Sequence, residues 1–110
     1  MTTTLQIQSK LAMLGKSPSQ IAKTLEERGI KGIKECYQNC PIAEYLKEEI
    51  FEATQILVME EETEIFIPKR RNHKSRFKIR NNQAIVRFIQ KFDAGDYPSL
   101  EYKEDWSNSL

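Results

Sequence analysis

Histidine is nearly missing from this chain. His73 is the only one among 110 residues, and the cysteines number two, Cys36 and Cys40. A closed zinc centre needs four donors, mostly Cys and His, and the sequence has no such set. The C-x3-C spacing also differs from the C-x2-C of zinc ribbons and of redox motifs. No metal or other cofactor is expected, and two unpaired thiols suit a reducing compartment. Long apolar runs are missing too. None approaches the roughly 18 to 20 residues that a bilayer span requires. The opening stretch, MTTTLQIQSK, lacks a cationic region followed by an apolar one, so no secretory leader is expected there. The expectation is a cytoplasmic protein with no membrane partner.

Catalytic patterns are equally scarce. There are four glycines and no Gly-rich phosphate loop, and neither G-x-S-x-G nor H-E-x-x-H occurs. His73 lies among cations, which disfavour its protonation. Glu48 and Glu52 stand at i, i+4 on what reads as a wet helix face, with no base or nucleophile nearby. No nucleophile, base and orienting group can be assembled, so the chain reads as a non-enzyme.

What is present is charge, sorted into blocks. The formal net charge is only +1. Residues 41–68 nevertheless carry eight acids against Lys47, and residues 69–91 carry nine cations and no acid. Lys69, Arg70, Arg71, Lys74, Arg76, Lys78 and Arg80 put seven of those cations into twelve residues. Such segregation arises where neighbouring elements face each other with opposite sign, or where one face addresses a charged partner. The length allows one hydrophobic core. We expect a single domain over 1–100 and a flexible acidic tail over 101–110, with Trp106 exposed in it.

Periodicity supplies the elements. Ile7, Leu11 and Leu14 fall on one face of a helix over about 5–14, with Thr4 as N-cap and Gly15 as its end. Ser17, Pro18 and Gln20 predict a capping box with a proline in the first turn, opening a helix over 18–28. Gly29 and Ile30 then suit a Schellman ending, with Ile30 folding back on Leu25. Cys40-Pro41 starts a helix predicted over 41–53, with Ile42, Leu46 and Ile50 inward and four glutamates outward. Cys40 is expected to be a small buried hydrophobe. Residues 55–59 and 63–67 read as strands, joined through Glu60 to Glu62 without a Gly or Asn-Gly turn signal. Arg76 to Arg80 alternates as a half-buried strand with a cationic face, preceded by a loop over 69–75. Asn81 or Asn82 caps a last helix with Ile85, Phe88, Ile89 and Phe92 inward, and Gly95 ends it. Tyr97 and Leu100 are expected to pack back on the core. The order is three helices, a small antiparallel sheet of two to three strands, and a C-terminal helix: an α+β fold.

Two stretches carry a resemblance. Ile21-Ala22-x-x-Leu25, Gly29-Ile30-x-Gly32 and Cys40-Pro41-Ile42-Ala43-x-Tyr45-Leu46 form the first. Phe88-Ile89-x-x-Phe92-Asp93-x-Gly95-x-Tyr97-Pro98-x-Leu100 forms the second. Together they resemble a group of small bacterial and phage proteins of uncharacterised function. The match covers the two ends of the domain, about half of the chain. The resemblance implies a prokaryotic or phage setting and no particular activity. Caps, core and turns account for most of the matching positions. Tyr45 reads as an amphipathic residue at the core edge, and Asp93 as a hydrogen-bonding group at a helix end.

Two functional readings remain. The favoured one is a protein-interaction or regulatory module. Its basic loop and strand, Lys69 through Arg80, would dock on an acidic protein surface or on a second copy of the chain. The alternative is sequence-independent binding of nucleic acid through residues 69–80, by phosphate contacts. A winged helix-turn-helix arrangement is disfavoured, because the helix at 41–53 and the would-be wing, MEEETE, are both acidic. Pairing of the basic strand with the acidic hairpin at 60–64 would explain the segregation without any partner.

Overall fold

The computed structural model describes residues 3–68 and 74–102. Helix α1 runs Thr4–Ala12 and is capped one residue earlier than expected, at Thr3. There the Thr3 hydroxyl accepts from the Gln6 N–H, and the Gln6 side chain accepts from the Thr3 N–H, which satisfies two orphan donors at once. Helix α2 spans Pro18–Glu27 with Ser17 as its N-cap. Here the expected box is only half formed. The Gln20 side chain bonds the Lys16 N–H at 2.8 Å rather than that of Ser17. The chain at Gly15 crosses so close to Gln20 that it presents Lys16 instead. The Schellman ending forms as expected. Gly29 sits at φ +69°, Ile30 N–H bonds the Leu25 carbonyl, and Gly29 N–H bonds that of Glu26.

Helix α3 runs Pro41–Glu49, four residues shorter than the apolar spacing predicts. Ile50 still donates to the Leu46 carbonyl, but its backbone has left the helix at φ −126°, ψ 70°. Its side chain stays in the core, so the spacing of Ile42, Leu46 and Ile50 reads through the end without marking it. Residues 50–54 turn the chain, leave Phe51 89% exposed and start the sheet.

Strands β1 (Gln55–Val58), β2 (Glu62–Pro68) and β3 (Lys74–Arg80) form an antiparallel sheet in the order β1-β2-β3. β3 starts two residues before the predicted Arg76, because β2 is long enough for Pro68 to pair with Lys74. Helix α4, Gln83–Asp93, uses Asn82 as its cap and buries the four predicted residues Ile85, Phe88, Ile89 and Phe92. Phe88 stacks on Phe92 and on Tyr97, and a 3-10 turn at Pro98–Leu100 buries Leu100. The three helices before the sheet and the one after it give the expected α+β fold. Among the described residues, no helix is long and apolar enough to cross a membrane.

The core lies between the helices and one face of the sheet. Ile56, Val58, Ile65, Ile67 and Ile79 join Ile7, Ile21, Leu25, Leu46, Ile85 and Phe88 in one apolar cluster. Alternation does the sorting, since neighbours along a strand point to opposite faces. On β2, Thr63, Ile65 and Ile67 are buried, while Glu62, Glu64 and Phe66 face the other way and are half-buried. That second face is where the cations of β3 emerge.

The three N-terminal helices are tied by charge as well as packing. Arg28 donates to Glu49 at 2.7 Å and lies 4.7 Å above the Tyr45 ring, and Lys10 pairs with Glu49 at 3.0 Å. Tyr45, expected at the core edge, is fully buried, and its hydroxyl donates to the Lys10 carbonyl. Burial pushes the Tyr45 hydroxyl up. The hydrogen bonds from Arg28 and then Lys10 hold the Glu49 carboxyl below its ordinary value. A depressed carboxylate stabilises fully above its unfolded pKa, about 4.3, and that contribution is lost as pH falls through the folded value. Glu49→Gln should therefore cost about 1 kcal/mol at neutral pH, as a partly exposed pair does. Its loss of stability below about pH 4 should be shallower than that of the parent chain. Parallel slopes in urea melts across that range would show that Glu49 is not the group responsible.

Candidate functional site

Each cation of β3 stands beside a fixed neighbour on β2. The register places Arg80 opposite Glu62, Lys78 opposite Glu64 and Arg76 opposite Phe66. β1 extends two of these rows, with Leu57 beside Glu64 and Gln55 beside Phe66. The face away from the core therefore has an acidic and aromatic central strand and a cationic edge. Arg76, Lys78 and Arg80 are all exposed. The Lys78 ammonium lies 3.6 Å from the Glu64 carboxylate, and its side chain is 52% exposed against 14% for Glu64. An exposed pair of this kind contributes about 0 to 1 kcal/mol. The basic strand and the acidic hairpin thus face each other in part. Arg76 has an aromatic neighbour rather than an acid.

Of the other residues expected to make contact, Lys74 opens β3, with its backbone paired to Pro68. Lys69, Arg70 and Arg71 lie outside the described residues, as do His73 and Trp106. Phe66 and Leu57 were not singled out from the sequence as part of this surface. The parity of strand alternation was the signal for Phe66, since it shares a side with Glu64.

The two strand edges differ. β1's outer edge is occupied at Val58, whose N–H donates to the Tyr37 carbonyl at 2.9 Å. Among the described residues, no main chain pairs with the outer edge of β3. Asn81 donates its N–H to the Glu61 carbonyl, which makes Asn81 and Glu61 a hydrogen-bonded pair. By alternation, Ile79, Phe77 and Ser75 point their main-chain groups at β2. Those of Arg80, Lys78 and Arg76 point outward to the free edge.

The β1–β2 turn shows why no turn motif was needed. Met59 N–H bonds the Glu62 carbonyl, so Glu60 and Glu61 form a two-residue loop, and neither has a positive φ. Asn81 holds it from below. Its side-chain amide donates to the carbonyls of Met59 and Glu60, while its oxygen accepts from the buried Thr63 hydroxyl at 2.7 Å. Asn81 is thus a turn clamp, and Asn82 alone caps the helix.

Two other concave regions lie elsewhere on the described surface. One is a cleft lined by Glu35, Cys36, Tyr37, Cys40, Glu60 and Asp93. Burial pushes the Cys40 thiol up to about 12, and its sulfur accepts from the Ala43 N–H, which caps α3. Asp93 accepts from the main chain of Glu35, which sits at φ +55°. Asp93 is therefore a hydrogen-bonding group at the end of α4, fixing a strained turn of the 30–40 segment. Among the described residues, no group of three or more His, Cys, Asp or Glu is placed to hold a metal ion. The other region is a shallow groove between α1 and the end of α3, flanked by exposed Leu5 and Met13 and lined by Lys10, Glu49 and Ile50. Lys10 and Glu49 neutralise each other there. In comparisons with known proteins, the chain matches no family model, no curated protein and no solved structure.

Proposed function

We propose that this protein is a small non-catalytic interaction module of prokaryotic or phage type, which docks through its basic strand on an acidic protein surface. The observation that supports this most is the sheet face left uncovered by the helices, with Arg76, Lys78 and Arg80 exposed along an edge that no main chain pairs among the described residues. Apolar contact is available beside them at Phe66 and Leu57, both half-buried. Protein interfaces use this combination, an apolar and aromatic patch with charge at its rim. Phe77, a candidate for stacking on a base, packs against the core instead.

Nucleic-acid binding is kept as a second reading because residues 69–80 hold seven cations and no acid. The two readings separate in one experiment. Anisotropy titrations would follow a labelled Glu-rich peptide and a labelled DNA duplex from about 50 to 200 mM salt. The docking reading expects the peptide to bind, with affinity falling at least about tenfold in an Arg76→Glu, Lys78→Glu double variant that still melts cooperatively. It expects the duplex to bind weakly, with a log–log salt slope well short of the roughly −3.6 that four phosphate contacts would give. Unchanged peptide affinity in the double variant would sink the docking reading. A steep duplex slope at micromolar affinity would replace it with the nucleic-acid one.

A further inference from the structure

We infer that the outer edge of β3 takes an extended acidic segment of a partner protein as a fourth strand. This rests on the docking reading above and specifies its geometry. β1's outer edge is taken at Val58 by the Tyr37 carbonyl, whereas among the described residues no main chain pairs with the outer edge of β3. The outward main-chain groups there belong to Arg76, Lys78 and Arg80, whose side chains also stand on the uncovered face. An added strand would therefore form its hydrogen-bonded pairs opposite those three residues. Its side chains at those positions would lie beside three cations, about 5.5 Å away between Cα atoms. Acids at alternate positions complement them. The intervening side chains fall on the core side, next to half-buried Phe77, and favour β-branched residues.

The opposite neighbour of β3 has this chemistry already. β2 places Glu62 and Glu64 beside Arg80 and Lys78, with Thr63, Ile65 and Ile67 between and after them. A partner strand alternating acid and β-branched residue would repeat that pairing on the free side. The same cations reject a second β3 edge, because like charges opposite one another destabilise a strand pair. Charge thus guards the edge against self-pairing and selects the acidic occupant.

The test uses the full chain and the probe peptide Ac-Thr-Glu-Val-Glu-Val-Glu-Thr-NH2. On binding, the N–H groups of Arg76, Lys78 and Arg80 should become protected from hydrogen exchange, while those of β1 stay unchanged. Lys78→Pro removes an outward N–H without touching the β2 ladder, since proline is tolerated where the N–H faces solvent. It should weaken binding about fivefold more than Lys78→Gln, the loss expected for one net main-chain hydrogen bond. A probe N-methylated at its central Glu should lose affinity by a similar factor against the unaltered protein, so the result does not depend on the proline variant folding. Strand addition is overturned, with docking left standing, if the peptide binds in a salt-sensitive way but neither proline nor N-methylation matters. No peptide binding at low salt would overturn both.

Discussion

Replacing Gly32 with alanine should lower the melting temperature by about 15 °C, the effect of roughly 3 kcal/mol in a domain of this size. The reason is space. A Cβ on Gly32 would lie 2.5 Å from the Cys40 carbonyl carbon and closer still to the Pro41 nitrogen. Those are backbone atoms at the start of α3, and no rotamer change can move them aside. Gly32 also holds residues 100–102. Its N–H donates to the Leu100 carbonyl, and its own carbonyl accepts from Tyr102. Any shift that relieves the clash pulls at both α3 and the bridge between Gly32 and Glu101. Gly29→Ala is the control. Its Cβ would meet nothing within 4 Å, so the cost is only that of a left-handed alanine, about 1 kcal/mol. Thermal melts of the two variants decide the matter, and equal losses would mean that the close approach at Gly32 is not tight.

Asn81→Asp should be nearly as damaging, at about 3 kcal/mol near neutral pH, although it changes one atom. The Asn81 amide donates to the Met59 and Glu60 carbonyls, and the residue is 6% exposed. A carboxylate there would set a negative oxygen against two carbonyl oxygens. Burial and those carbonyls raise the carboxyl pKa in the folded state above the unfolded value of about 3.9. A raised folded pKa means that the penalty is full above that pKa and shrinks as pH falls and the acid becomes a donor. The variant should therefore close its gap with the parent chain on acidification. Urea melts at about pH 7 and about pH 4 test this, and a gap that stays constant would rule out Asn81 as a donor to the turn. Loss of the clamp should also free the Glu60–Glu61 loop, visible as faster exchange of the Met59 N–H.

These two positions show the limit of sequence reading. Gly32 was visible as a loop glycine, but the chain it nearly touches is eight residues on and arrives there only once α3 is in place. Asn81 and Asn82 were interchangeable as caps in sequence. The register of β3 separates them, turning Asn81 toward the hairpin and leaving Asn82 to accept from Ile85. Tyr45 and Asp93 follow the same rule, since their partners are the main chains of Lys10 and Glu35, 35 and 58 positions away.

The sequence by itself determined the elements and their order. Ser17-Pro18, Gly29-Ile30, Cys40-Pro41 and the stripe from Ile85 to Phe92 each act within a few residues, through caps and helical periodicity. It also determined that charge is segregated, because charge is a property of composition. Only the tertiary structure decided what the segregation means. Register set Glu62 and Glu64 beside Arg80 and Lys78, and packing placed the helices on the opposite face of the sheet. The Tyr37 carbonyl took the Val58 N–H on one edge of the sheet, and among the described residues no main chain pairs with the cationic edge. Local signals are short-range energies that the chain expresses wherever it goes. The pairing of distant strands and the choice of exposed edge depend on where each element comes to rest.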